Sequence, residues 1–219
     1  MKYGRIAGNK SINETIYRCF ECICEEDARK FVKKLGEQPH YGPQVMHTFR
    51  ELILGAYLAS SGLNVRYDYP VDSSTPDWCI LDEISKLRGI VELTNLHTKQ
   101  SIENEIKQAF QAKDSWADWM PLNDNRLYQS IWNKAQVYKS LVERHCVPYV
   151  IAVFGDFFAA VDIDELHPCL NDSGTGLFGL YPTISGVLFF EEEAGRYHFK
   201  YFPNSHAIME IQLAEGAFP

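Results

Sequence analysis

Residues Thr75–Thr94, TPDWCILDEISKLRGIVELT, decide the fold of this chain. The two apolar runs in this stretch, Asp77–Leu81 and Gly89–Thr94, are predicted strands, and the polar link between them predicts a hairpin. The hairpin places two carboxylates, Asp77 and Glu92, on adjacent strands. Hard cations such as Mg²⁺ and Mn²⁺ prefer oxygen ligands and keep water in their remaining positions. The two carboxylates can therefore converge on one divalent cation.

Side chains alternate between the two faces of a strand, and this rule orients the second strand of the hairpin. It places Glu92 and Thr94 on one face, and Val91 and Leu93 on the other. A solvated strand face would carry the same Glu-x-Thr pattern, and a Pro-Asp pair also opens ordinary turns. The pattern becomes informative only together with the elements around it.

A helix and a further strand precede the hairpin. Apolar residues recur at helical spacing over Val45–Ser61, which predicts a helix, and the strand Asn64–Tyr69 follows. His47, Glu51 and Gly55 form a stripe beside the apolar face of this helix. Glu51 by itself is as consistent with a solvated helix edge as with a site residue.

A long helix is predicted over Asn125–His145, and an unbroken apolar run, Tyr149–Phe154, predicts a buried strand after it. Lys134 falls in the middle of the apolar stripe of this helix. Burying an unpaired ammonium group is costly, so Lys134 should either reach solvent or find carboxylates. Asp77 and Glu92 are candidate partners. The stripe consists of Leu127, Ile131, Tyr138, Leu141 and His145.

With Pro76-Asp77 followed by Glu92-Leu93-Thr94, the chain resembles the PD-(D/E)XK nuclease superfamily, which has the restriction-endonuclease-like fold. The resemblance covers about Val45 to Phe154 and includes the order helix, three strands, helix, strand. It implies an α/β (α+β) fold with a mixed central sheet flanked by helices. It also implies a Mg²⁺ or Mn²⁺ cofactor, with Asp77, Glu92 and Glu51 as metal ligands and the Leu93 carbonyl as a further oxygen.

The chain departs from the superfamily pattern at one position, because Thr94 stands where a catalytic lysine is expected. In some branches this lysine has migrated to the following helix, and Lys134 is the candidate for that role here. The resemblance then makes Asp77, Glu92, Lys134 and Glu51 the catalytic set. Substrate contacts are expected from Thr94, and from Gln129 and Arg126 on the long helix.

Composition and charge limit the classes of function. Hydrophobic residues make up 46% of the 219, enough for a substantial core, and no apolar run is long enough to span a bilayer. Residues 1–145 carry 19 basic and 19 acidic side chains, whereas residues 146–219 carry 2 and 10, which accounts for the net charge of −8. This balance disfavours a generic basic nucleic-acid binder but leaves open a specific site within the neutral part of the chain. The N-terminal sequence lacks the apolar stretch of a signal peptide, so we expect a cytoplasmic protein with reduced cysteines and no membrane partner.

The sequence also predicts how the chain is divided into an extension and a domain. Residues 1–44 are interpreted as an N-terminal extension and residues 45–219 as the nuclease-like domain. Two strands, Ile184–Phe190 and Tyr197–Phe202, form a C-terminal pair across a solvated turn at Glu191–Arg196.

The connection between the hairpin and the long helix leaves several alternatives open. Ser101–Lys113 is a candidate helix. Trp116 and Trp119 either fix a loop to the core or stack on unpaired bases. Asn95 and His97 either line the site or belong to a loop.

Two functions from different classes follow. The first is a divalent-metal-dependent nuclease acting on nucleic acid, with DNA expected, in defence, repair or mobile-element biology. The alternative is an inactive nuclease-like scaffold that binds or assembles partners, favoured by the missing strand lysine and the acidic C-terminal third. A homodimer is compatible with cleavage of both strands, and two-fold dimers are the commonest oligomers.

Overall fold

Three helices begin the fold in the computed structural model, which describes residues 6–38, 42–95, 124–155, 163–171 and 174–218. They are α1 (Lys10–Cys22), α2 (Glu25–Glu37) and α3 (Pro43–Ser60). The Asn9 side chain caps α1 by accepting hydrogen bonds from the amides of Ser11 and Ile12. Three acidic residues in the first turn of α2 favour its start, because they complement the helix dipole.

A seven-stranded mixed sheet forms the centre of the fold. Its strands are β1 (Val65–Tyr67), β2 (Trp78–Leu81), β3 (Leu87–Asn95), β4 (Tyr149–Gly155), β5 (Gly186–Glu193), β6 (Arg196–Pro203) and β7 (Gly216–Phe218). They lie side by side in chain order. The central pairs β3–β4 and β4–β5 are parallel, and the outer pairs are antiparallel. The protein is therefore a mixed α/β protein, as the sequence predicts.

Helices cover both faces of the sheet. Val91 and Leu93 of β3 belong to the hydrophobic cluster that contains the side chains of α1, α2 and α3. Ile90 belongs to the second cluster, with α4 (Asp124–His145), α5 (Ile163–Asn171) and α6 (Leu177–Leu180). The predicted alternation along β3 is confirmed, and Glu92 shares the α4 face with Ile90.

The segment predicted to be an extension packs into the main core. Ile16 and Cys19 of α1 and Phe31 of α2 are buried in the same cluster as Leu52 of α3. One continuous hydrophobic cluster therefore crosses the predicted boundary at residue 44.

The C-terminal strands pair with each other as predicted, and only the length of their turn differs from the prediction. They extend the central sheet, since β5 pairs with β4. The turn is shorter than predicted, because β5 continues through Glu193 and only Ala194 and Gly195 connect it to β6. Both turn residues have positive φ, at 51° and 80°, which suits a tight two-residue hairpin connection. Glu191–Glu193 are exposed strand residues, so exposure alone did not distinguish a strand end from a turn.

Within the described parts of the chain, no helix has the length and apolar character needed to cross a membrane. All six cysteines fall within these residues, and none of them is in a disulfide.

Candidate active site

The position of α3 against the sheet is set by a contact between a glycine and a tryptophan. A Cβ on Gly55 would lie 1.8 Å from the Trp78 ring, so only glycine allows this close approach. The Trp78 indole N–H donates to the Glu51 carbonyl at 2.9 Å. Because Trp78 directly follows Asp77, this contact holds Glu51 close to the beginning of β2.

Asp77 and Glu92 are joined directly across the β2–β3 hairpin. The Asp77 amide donates to Glu92 Oε1 at 2.7 Å, and the Leu93 amide donates to Asp77 Oδ2 at 2.8 Å. The neighbouring residues Trp78 and Val91 are antiparallel partners, which puts the two carboxylates at the same level of the sheet. Each carboxylate is thus fixed by a backbone amide of the strand that carries the other.

Lys134 reaches both carboxylates from α4. Its Nζ lies 2.6 Å from Glu92 Oε2 and 3.8 Å from Asp77 Oδ2. The Tyr149 hydroxyl donates to the Lys134 carbonyl at 3.0 Å, which fixes this turn of α4 to β4. About a quarter of the Lys134 side chain is exposed, so the ammonium group can meet both the buried carboxylates and a ligand from solvent. We call Asp77, Glu92 and Lys134 the acidic pair site.

The two carboxylates of the acidic pair site destabilise each other's charge. Burial, followed by the charge of Asp77, raises the pKa of Glu92 to about 7 despite the hydrogen bond from Lys134. Burial also raises the pKa of Asp77, and the charge of Glu51 adds to this rise. Burial alone would lower the pKa of Lys134, but the carboxylates of Asp77 and Glu92 raise it. The site therefore has more negative charge than one lysine compensates.

Glu51 lies in a separate network on the α3 side of the sheet. Its Oε2 accepts from Lys34 Nζ at 2.9 Å and from the Tyr67 hydroxyl at 2.8 Å, and its Oε1 lies 3.1 Å from His47 Nε2. The other ring nitrogen of His47 contacts the Asn95 amide at the end of β3. Burial would raise the pKa of Glu51, but the His47 hydrogen bond and the Lys34 charge lower it. We call these five residues the Glu51 network.

Thr94, Gln129 and Arg126 are the residues that were predicted to contact substrate. Thr94 is buried and, by alternation, on the face of Glu92. Gln129 is exposed and bonds to Asn133 at 3.1 Å, and its contact with substrate stays a prediction. Arg126 lies in α4, and its side chain is outside the described atoms, as are the residues His97, Ser101–Lys113, Trp116 and Trp119.

Lys34 and Tyr67 of the Glu51 network, and Tyr138 beside the acidic pair site, were not predicted as site residues. Lys34 and Tyr67 meet Glu51 only because α2 docks on β1, and no local pattern in the sequence indicates that docking. Tyr138 did have a signal, because it stands four residues after Lys134 on the same helix stripe. Burial and the nearby Glu92 carboxylate raise the pKa of Tyr138.

A divalent cation at the acidic pair site would need oxygen ligands from the protein. The described residues contain no group of three or more His, Cys, Asp or Glu side chains positioned to hold a metal ion. The acidic pair offers two carboxylates with excess negative charge. Mg²⁺ is commonly bound by one or two carboxylates, with waters and substrate phosphate oxygens as the other ligands. Asp77 and Glu92 fit a Mg²⁺ site of this type, in which two carboxylates are the protein ligands.

No protein-family model, curated protein or solved structure matches this chain. What the fold and site define is a mixed α/β protein with two carboxylates and a lysine converging beside its central strands.

Proposed function

We propose that this protein is a divalent-metal-dependent nuclease with a restriction-endonuclease-like core, which hydrolyses phosphodiester bonds of nucleic acid, with DNA expected. The observation that carries the proposal is the approach of Lys134 Nζ to Glu92 and Asp77, at 2.6 and 3.8 Å. One hairpin supplies the two carboxylates, and a helix about 40 residues later supplies the lysine. The geometry supports the interpretation that Lys134 replaces the strand lysine, since its ammonium group reaches the carboxylates from the following helix.

In the proposed reaction, Asp77 and Glu92 bind the cation, and the Leu93 carbonyl remains a predicted further ligand. A bound Mg²⁺ or Mn²⁺ supplies Lewis-acid chemistry, polarising a phosphoryl oxygen and acidifying water. The fixed orientation of the carboxylates comes from the backbone amides of Asp77 and Leu93. These carboxylates therefore need little reorganisation when substrate binds.

Lys134 has a second role in this proposal. Its pKa is raised by the carboxylates of Asp77 and Glu92, so the side chain is a cation at neutral pH. An ammonium group has three donors on a flexible stem, and one of them suffices for the contact with Glu92. The other donors are available to orient the attacking water and to stabilise negative charge on the phosphate in the transition state.

One observation favours the inactive scaffold as the second candidate. Both oxygens of Glu92 already accept hydrogen bonds from protein groups, the Asp77 amide and Lys134. The acidic pair site is then a buried ion pair with a structural role, and such pairs are weak contributors to stability. The excess of 10 acidic over 2 basic residues after position 145 also disfavours binding of a phosphate backbone.

Thermal unfolding with and without Mn²⁺, for wild type and Asp77→Asn, tests the metal site. A ligand that binds only the folded state stabilises it, by about 2.7 kcal/mol at a hundredfold excess over Kd. We expect Mn²⁺ to stabilise the wild type and the control Glu83→Gln, an exposed carboxylate of the hairpin loop, but not Asp77→Asn. Cleavage of DNA and RNA substrates, single- and double-stranded, then tests the reaction. Metal binding without cleavage of any substrate would support the scaffold, and an absence of both would contradict the nuclease.

A further inference from the structure

Lys34 of α2 contacts the Glu51 network although it comes from the segment predicted to be an extension. Its Nζ lies 2.9 Å from Glu51 Oε2, and it also contacts the Tyr67 hydroxyl. The same ammonium group lies 5.0 Å from the centre of the Tyr67 ring. Glu51 is 2% exposed, so Lys34 supplies a positive charge to a carboxylate that water scarcely reaches.

The place of Lys34 is fixed by a clamp between α2 and β1. One turn before it, Lys30 Nζ donates to the Tyr67 carbonyl at 2.6 Å and lies 3.1 Å from Asp27 Oδ1. The fully buried Asp27 accepts the Tyr67 amide at 3.0 Å and Arg66 Nε at 3.1 Å. Both backbone groups of Tyr67 are therefore held by α2, which directs Lys34 to the hydroxyl end of the same tyrosine.

Glu51 in turn connects to both strands of the acidic pair site. Its carbonyl accepts the indole N–H of Trp78, the residue after Asp77. Its carboxylate holds His47, whose ring contacts Asn95 at the end of β3. The network thus reaches the beginning of β2 and the end of β3, the strands that carry Asp77 and Glu92.

We propose that Lys34 is a positioning residue of the nuclease site, so that the N-terminal helices are part of the active centre. This inference depends on the proposed function. Lys34 keeps Glu51 charged and in one orientation, and the fixed Glu51 holds His47 and α3 in the arrangement that sets the Asp77 end of β2. Lys34 itself does not touch the substrate, so its effect is on the rate of the chemical step and not on substrate affinity.

The test compares Lys34→Met with Lys34→Arg and Lys33→Met in the full chain. Lys33 is the matched control, because it is the preceding residue of α2, its side chain is 77% exposed, and its partner Glu37 is 3.9 Å away. Steady-state cleavage of one oligonucleotide gives kcat and KM for each variant, at a temperature where unfolding curves show every variant folded. Mn²⁺ titrations establish that the wild type binds metal.

For Lys34→Met we expect kcat to fall roughly 10- to 100-fold, the usual effect of removing a supporting residue, with KM within about twofold of wild type. Lys34→Arg restores the charge and should recover most of kcat, whereas Lys33→Met should match wild type. Should Lys34→Met fail to fold, Tyr67→Phe replaces it, because it keeps the buried ring and removes only the hydroxyl that donates to Glu51.

Two results overturn the inference in distinguishable ways. If wild type cleaves and Lys34→Met (or its replacement Tyr67→Phe) keeps the kcat of Lys33→Met, Lys34 has only a structural role and the nuclease assignment stands. If the wild type neither binds Mn²⁺ nor cleaves nucleic acid, the nuclease assignment falls and the role of Lys34 falls with it.

Discussion

Glu51 and Glu92 are equally buried, at 2% and 1% exposure, but their environments shift their pKa values in opposite directions. The pKa of Glu51 is lowered, because His47, Lys34 and Tyr67 provide donors and positive charge that outweigh burial. The pKa of Glu92 rises to about 7, because burial and Asp77 outweigh its single cation, Lys134. The first environment stabilises a negative charge, and the second disfavours one.

The difference shows that burial alone does not define a functional carboxylate. Both glutamates accept hydrogen bonds on both oxygens and have a nearby lysine. They differ in the Asp77 carboxylate, whose charge adds to burial in raising the pKa of Glu92. A glutamate next to a second carboxylate needs a proton or a further cation, and strongly perturbed groups of this kind occur often at functional sites. Within this protein the contrast supports Glu92 and Asp77 as candidate ligand-binding groups, and the role of Glu51 as a metal ligand stays a prediction.

The largest expected effect comes from removing the cation of the acidic pair site. Lys134→Met should lower cleavage by on the order of 10²- to 10³-fold, because transition-state charge on the phosphate loses its stabilising donor. Lys139→Met, an exposed lysine of the same helix, is the matched control. Single-turnover cleavage at saturating Mn²⁺ measures the effect. Equal rates for the two variants would make the Lys134 ion pair structural and remove Lys134 from the catalytic set.

The next effect comes from disturbing the Gly55–Trp78 contact, which sets the position of α3 against β2. In Gly55→Ala the new methyl group would lie 1.8 Å from the Trp78 ring, so the helix or the ring must move. We expect the free energy of unfolding to fall by about 3 kcal/mol, as for severe overpacking. Urea denaturation measures it. Gly36→Ala, a helical glycine with no atom within 4 Å of the added Cβ, should instead stabilise the protein by roughly 0.5–1 kcal/mol.

Replacing each glutamate by glutamine tests the contrast between Glu51 and Glu92. The two substitutions should change the free energy of unfolding in opposite directions at about pH 8. Glu51→Gln should lower the free energy of unfolding by about 2 kcal/mol, since Lys34 loses its buried partner. The pKa of Glu92 is raised from 4.5 in the unfolded chain to about 7 in the folded protein. The free energy of unfolding therefore falls as the pH rises between these two values. Glu92→Gln should remove this loss and stabilise the protein by about 1–2 kcal/mol at pH 8.

Urea denaturation at about pH 5 and pH 8 distinguishes these effects. At pH 5 the Glu92→Gln gain should largely vanish, because wild-type Glu92 is then protonated in the folded state. The Glu51→Gln loss should persist at pH 5, because pH 5 lies above the unfolded value of 4.5 and the still lower folded pKa keeps Glu51 charged. Destabilisation of equal size by both variants at pH 8 would contradict the assigned electrostatics.

The smallest expected effect is the pH dependence of metal binding. A proton on Glu92 competes with the cation, so Mn²⁺ affinity should rise with pH by up to about tenfold per unit below the Glu92 pKa. Above that pKa, which is about 7, the affinity should level off. Isothermal titration calorimetry in buffers of different ionisation heat measures both the affinity and the proton release. Glu92→Gln should bind Mn²⁺ weakly, and its affinity should not depend on pH in this range. If the affinity of this variant still rises with pH, the competing proton is not on Glu92.

The sequence predicted those parts of the site that depend on short-range periodicity. Strand alternation put Glu92 on one face of β3, and the apolar stripe of α4 identified Lys134 as a side chain in need of carboxylates. The meeting of Lys34 with Glu51 depends on how α2 docks, which is a property of tertiary packing with no repeating pattern. The end of β5 at Glu193 was missed for another reason, because exposed glutamates at a strand end resemble those of a turn.

The order of pairing in the sheet also has a kinetic consequence. β2 and β3 are joined by a short loop, whereas the parallel partner β4 requires closure of the whole chain between Asn95 and Tyr149, and such long-range pairing is slow. We therefore expect Asp77 and Glu92 to come together before Lys134 arrives. Because the contact with Lys134 should form late, we expect its loss to accelerate unfolding more than it slows folding.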